Sequence, residues 1–181
     1  EIFKKHRLEI YDVDQLDTHG GSLRIYCRHF GNRHKKISKR VIDLLAFEKA
    51  QGMQKISYYK RFQERTNKIK DELLSFLIKQ KSLGKKIIAY GAAAKGNTLL
   101  NYCGIKTDFI GFVVDKSKHK IGKFLPGSRI PILNEEEIIK YKPDYIIILP
   151  WNLKKEIVTD LRYVKAWNCK FITIIPKLSI F

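Results

Sequence analysis

From Lys85 onward the chain alternates short apolar runs with amphipathic stretches, and that alternation leaves few folds open. IIAY, DFIGFVVD, DYIIILP and KFITII are rich in β-branched and aromatic residues and apolar almost throughout, the pattern of strands covered on both faces. Between them KGNTLLNYC, NEEEIIKY and NLKKEIVTDLRYVKAW read as helices. Strand–helix–strand repetition calls for parallel strands joined by crossovers. Residues 85–181 are therefore expected to form an α/β fold: a Rossmann-like parallel sheet with helices on both faces.

The residues before this region follow different periods. LEIYDVD and SLRIYCRHF alternate apolar with polar side chains, and QLDTHGG between them holds two adjacent glycines suited to a tight reversal. A β-hairpin over residues 1–30 follows. GNRHKK is polar and reads as a loop. Ser38 is placed to cap a helix through VIDLLAFEKA that Gly52 ends. A longer helix runs from Gln54 to Leu83. On it Ile56, Tyr59, Phe62, Ile69, Leu73, Phe76 and Leu77 form one apolar stripe, and Gly84 closes it. Residues 31–84 thus connect the hairpin to the sheet.

Composition narrows the function. The chain has 181 residues and a formal net charge of +18 at pH 7. Such an excess attracts polyanions, but the lysines are spread along the whole length and many lie on solvated helix faces. That distribution favours a basic cleft for a small phosphorylated ligand over nucleic acid. No apolar run reaches the roughly 20 residues of a membrane span, so no membrane partner is expected. Cys27, Cys103 and Cys169 are odd in number and form no C-x-x-C pair, which fits a reducing cytoplasm and core thiols. Apart from His29 and His34, histidines and cysteines do not fall at metal-ligand spacing, and no metal site is expected. The chain opens on EIFKKHRLEIYD without Met or an apolar leader, and a piece of a longer protein is expected.

The stretch Gly91–Thr98, GAAAKGNT, lies between a strand and a helix. Gly91 and Gly96 fit the outer positions of a dinucleotide turn, but Ala93 replaces the middle glycine that admits a pyrophosphate to the backbone. A diphosphate would then sit further out, at the helix N-terminus, reached by Lys95, Asn97 and Thr98. The same residues also suit a turn that merely connects strand to helix. Asp115 ends the second strand, where a Rossmann acid meets a ribose; it could equally cap the KSKHKIG loop. Lys116, Lys118 and Lys120 beside it would suit phosphate. Trp151 and Asn152 follow the third strand, so the strand ends bring them to the same crevice. There Trp151 could stack on a ring or belong to the core. His19, beside two glycines, reads first as a turn residue.

Taken together, DTHGGSLRIY, YGAAAKGNTLLNYCGI, VVDKSKHKIGKFLPGSRIPI and PDYIIILPWNLKKEI, in that order, resemble the C-terminal region of the S-adenosylmethionine-dependent nucleotide-sugar C-methyltransferases. The resemblance covers nearly the whole chain. It implies transfer of a methyl group from S-adenosylmethionine to a sugar carbon beside a keto group, in deoxysugar biosynthesis. It implies an N-terminal zinc-binding domain and a central S-adenosylmethionine domain as well. This sequence lacks the cysteine-rich zinc motif, the glycine-rich cofactor loop and the tyrosine–histidine–glutamate–histidine motif that carries the base. On that resemblance residues 1–30 are the last strands of the methyltransferase domain, with His19 and Arg24 near its cleft and no catalytic residue in this part. Residues 85–181 then help to hold a nucleotide-diphosphate sugar through Gly91, Lys95, Gly96, Asn97, Thr98, Asp115, Trp151 and Asn152. The contrasting reading is a non-catalytic nucleotide- or nucleic-acid-binding module.

Overall fold

A computed structural model describes residues 1–32 and 34–181; Arg33, within the polar GNRHKK stretch, lies outside the described residues. The chain divides into two units, Glu1–Glu64 and Arg65–Phe181.

In the first unit a short helix α1 (Ile2–Lys5) precedes the antiparallel strands β1 (Leu8–Leu16) and β2 (Ser22–His29). The expected hairpin is present. Its reversal runs through a 3₁₀ turn at Thr18–Gly20, with positive φ at His19, Gly20 and Gly21. A register shift between Ile10 and Asp12 marks a bulge in β1. Helix α2 (Lys39–Ala50) lies against β1, with Val13 and Val41 buried. Ser38 does occupy the N-cap position, but its hydroxyl makes no cap bond and donates instead to Asp12 Oδ1 at 2.6 Å. Arg40 completes this link with 2.5 Å ion pairs to Asp12 and to Asp14. Those bonds tie the start of α2 to β1 and explain where the capping hydroxyl goes.

Helix α3 (Ile56–Ser82) crosses from the first unit into the second. Its stripe divides in the same place. Leu73 and Leu77 are fully buried and Ile69 and Phe76 pack beside them, whereas Ile56, Tyr59 and Phe62 are exposed. The expectation of one continuous buried stripe holds only for its second half.

The second unit carries a six-stranded sheet of β3 (Ile87–Tyr90), β4 (Val113–Val114), β5 (Ile132–Leu133), β6 (Tyr145–Ile148), β7 (Lys170–Thr173) and β8 (Ser179–Ile180). The spatial order is β5-β4-β3-β6-β7-β8, parallel except for the antiparallel β8 at the edge. This is the doubly wound order, with its switch point between β3 and β6. Alternation along β3 sends Ile87 and Ala89 to one core and Ile88 and Tyr90 to the other. α3 and α4 (Ala94–Cys103) contribute Leu73, Leu77, Leu99 and Leu100 to the first core. α5 (Glu136–Tyr141) and α6 (Lys154–Asp160) contribute Ile138 and Ile157 to the second. Helices thus cover both faces, as the alternation requires.

Two strands escape the sequence pattern. β5 begins at the last residue of PGSRIPI and ends on Leu133, and β8 follows the last expected strand; each is two residues long and is defined by pairing with a neighbour. The helix expected over NLKKEIVTDLRYVKAW is broken into a 3₁₀ turn Trp151–Leu153, α6 and a 3₁₀ segment Arg162–Trp167. The β-branched run Ile157-Val158-Thr159 near the end of α6 has low helix propensity and weakens a continuous helix there.

Candidate functional site

Gly91 and Gly96 meet the protein, not open space. Gly91 has φ +86°, donates its N–H to Val114 O at 2.7 Å, and lies against the chain leaving β6. A Cβ built there would stand 2.5 Å from Pro150 Cδ. A Cβ on Gly96 would stand 2.5 Å from Leu149 Cβ. Both distances are below any real Cβ contact, so each glycine is needed to let the β3–α4 turn close on the end of β6. Gly96 performs the helix–strand packing role of the last glycine in a dinucleotide turn.

The other side of the turn is open. Ala92, Ala93, Ala94, Asn97 and Thr98 form one wall of a cavity of about 660 Å³, and residues from His119 to Pro126 form another. His119, Lys120 and Lys123 bring nitrogen donors to it. Ala93 occupies the N-cap position of α4 and has no side chain to cap the helix. The helix end therefore presents N–H groups and a partial positive charge. Thr98 donates its hydroxyl to Ala94 O at 3.1 Å. Asn97 Oδ1 is buried without a hydrogen-bond partner.

Asp115 braces these walls. Its Oδ2 accepts from Ala92 N at 2.8 Å and from Lys120 Nζ at 3.1 Å, and its Oδ1 accepts from Ser117 N at 2.8 Å. The carboxylate thus joins the glycine turn to the basic loop. Lys116 turns to a different partner, Asp160, at 2.6 Å. Opposite ends of one short lysine run serve different elements.

Lys95 faces a separate group. Its ammonium donates to Asn152 Oδ1 and lies 4.6 Å from the centre of the Trp151 ring. These contacts join the first turn of α4 to the 3₁₀ turn after β6, so Lys95, Trp151 and Asn152 do converge across the switch point. A second cavity, of about 450 Å³, is lined by residues 151–156. On the second core's face, Tyr90 donates its phenol to Glu135 Oε1 at 2.7 Å. Burial, helped by that carboxylate, pushes its pKa above the usual phenol range. The phenol stays protonated at neutral pH.

His19 and Arg24 belong to the first unit, His19 at the hairpin reversal with φ +57° and Arg24 exposed on β2. His119 and Lys123 line the cavity beside the Gly91–Thr98 turn although no periodicity in their loop marks them; their position between Asp115 and Pro126 is the signal for them in the sequence. Among the described residues no group of three or more His, Cys, Asp or Glu is placed to hold a metal ion. The chain also offers poor accommodation for S-adenosylmethionine. The strand–glycine–helix turn at Gly91–Thr98 has its two glycines packed against Pro150 and Leu149, just after β6, and the nearby acid is bonded to Ala92, Ser117 and Lys120.

Comparison with known proteins bears on the same residues. The family described as C-methyltransferase C-terminal domain matches residues 17–176. A protein named C-methyltransferase NovU, from Streptomyces niveus, is 34% identical over 176 residues, 97% of this chain. The chain spans 42% of that relative's length. The match takes in the hairpin reversal, the Gly91–Thr98 turn, the basic loop and the residues after β6. The chain belongs to the C-methyltransferase C-terminal domain family.

Proposed function

We propose that this chain is the C-terminal part of an S-adenosylmethionine-dependent C-methyltransferase acting on a nucleotide-linked keto-deoxysugar, and that it contributes sugar-nucleotide binding to the reaction. One observation carries this reading. At the switch point of the sheet, the uncapped N-terminus of α4 faces His119, Lys120 and Lys123 across a cavity of about 660 Å³. Open α/β sheets bind ligands in such crevices, and an uncapped helix end beside lysines suits an anion. The volume lies in the range of small-molecule sites. The cofactor would supply the methyl group from a domain outside this chain, and zinc would belong to the N-terminal domain that the resemblance implies. The reaction requires a base from outside this chain as well.

Calorimetric titration with uridine- and thymidine-diphosphate sugars tests the proposal. Saturable binding is expected, weakening only a few-fold between roughly 50 and 200 mM salt, since a pocket makes few phosphate contacts. The net charge of +18 favours one competing reading, a polyanion-binding module. Salt-steep binding to random-sequence DNA, with no heat from any sugar nucleotide, would establish that reading instead.

A further inference from the structure

We infer that the edge of the second unit opposite the crevice docks on an anionic lipid surface, with a row of lysines on the lipid phosphates and Leu83 among the headgroups. The inference uses the other end of the sheet and stands apart from the sugar-nucleotide reading.

Sheet topology lines the lysines up. Parallel strands all start at one edge. Lys106 lies on the lead-in to β4, Lys85 and Lys86 directly precede β3, Lys142 precedes β6, and Lys170 opens β7. Those four strands are consecutive neighbours in the order β4-β3-β6-β7. At about 4.8 Å between strands, the row extends about 15 Å. Helix α3 ends at the same edge, where the Lys81 ammonium lies 5.2 Å from the centre of the Phe109 ring. All six lysines are exposed.

The acids are distributed differently. Glu135, Glu136, Glu137 and Glu156 stand at the starts of α5 and α6, and Asp115 follows β4, all at the crevice end. The lysine edge has Asp108 and Asp144, and Asp144 pairs with Lys85 at 2.9 Å. Helix C-termini attract lysines for their own sake, which accounts for Lys81 after the middle of α3 and Lys142 beyond α5. Lys86 and Lys170 lie at strand starts, where the sheet has little dipole to favour them.

Two features select a bilayer over nucleic acid. Leu83, between Lys81 and Lys85 in sequence, is 61% exposed. A phosphate backbone gains nothing from it, whereas a lipid interface takes both lysines and an apolar side chain. The aromatic rings here, Phe109 and Tyr141, pack on the two cores and carry Lys81 and Lys86 over them, so they are not free to stack on bases. Among the described residues no helix is long and apolar enough to cross a membrane. A surface contact requires no span, and it leaves the crevice facing water.

Cosedimentation of the 181-residue chain with vesicles tests this, using phosphatidylcholine alone and phosphatidylcholine mixed with phosphatidylglycerol, with thermal melts of every variant. The mixed vesicles should bind the chain and lose it as salt rises; neutral vesicles should not bind it. Lys106→Gln with Lys170→Gln should weaken binding about tenfold or more, the loss of two charges at the lipid surface. Leu83→Ser should weaken it several-fold. Lys118→Gln with Lys155→Gln removes the same charge from the crevice end and should stay within about twofold of the parent. Equal losses from the two lysine pairs would overturn the inference, since net charge and not this edge would then drive binding. Absence of binding to the mixed vesicles would overturn it too. Binding to random-sequence duplex DNA that weakens with Lys106→Gln and Lys170→Gln, without vesicle binding, would assign the edge to nucleic acid instead.

Discussion

Gly96 and Leu149 are packed so closely that a Cβ on the glycine would stand 2.5 Å from the Leu149 Cβ. The close approach continues to Leu149 Cγ at 3.0 Å and Cδ1 at 3.1 Å, and the Cβ itself stays in place when the side chain turns, so rotating the leucine cannot clear the way. α4 and the end of β6 approach one another only because residue 96 has no side chain.

Gly96→Val should therefore destabilise the second unit. Valine gains a few tenths of a kcal/mol in helix propensity over glycine, while overpacking a buried contact costs about 1–3 kcal/mol. Packing wins. Urea unfolding should show a lower midpoint with the slope unchanged. A midpoint equal to that of the parent would mean that α4 can move away from Leu149 without cost.

Asp12 gives a pH prediction for the first unit. The Arg40 guanidinium, followed by the Ser38 hydroxyl, holds the Asp12 carboxyl down at about 2, against an ordinary value of 3.8. A carboxyl depressed in the folded state stabilises it above the unfolded value and loses that contribution as pH falls through the folded one. The link between β1 and α2 is therefore at full strength above about pH 4 and is lost toward pH 2. Asp12→Asn should flatten the fall in stability across this window, measured by denaturant unfolding at successive pH values. The same fall in the variant as in the parent would show that other carboxyls carry it.

S-adenosylmethionine should give no saturable heat with this chain. Gly91 and Gly96 are occupied by packing against Pro150 and Leu149, and Asp115 is bonded to Ala92, Ser117 and Lys120. Stoichiometric binding in a calorimeter would mean that the Gly91–Thr98 turn holds the methyl donor and not the acceptor.

Much of this arrangement is legible in the residues themselves. IIAY, DYIIILP and KFITII announce β3, β6 and β7 because strands buried on both faces must be apolar throughout. β5 and β8 stay hidden, since two residues carry no period and their strand character comes from β4 and β7. The strand-end rule brings Lys95 near Trp151 and Asn152, and the structure joins them. What the sequence leaves open at Asp115, ribose ligand or loop cap, depends on where Ala92, Ser117 and Lys120 lie in three dimensions. His119 and Lys123 belong to an irregular loop, where side-chain direction follows no repeat. The exposed Ile56, Tyr59 and Phe62 mark a further limit: periodicity places residues on one face of α3 but does not say what covers that face.

The central claim is that the crevice between the α4 turn and the basic loop receives a nucleotide sugar, and amide chemical shifts recorded during a titration test it most directly. Adding a thymidine- or uridine-diphosphate sugar to the isotope-labelled chain should move the amide signals of residues 92–98 and 117–126 together, saturating with one affinity. Shifts confined to residues 1–64, or scattered over the lysine-rich helix faces without saturation, would contradict the account.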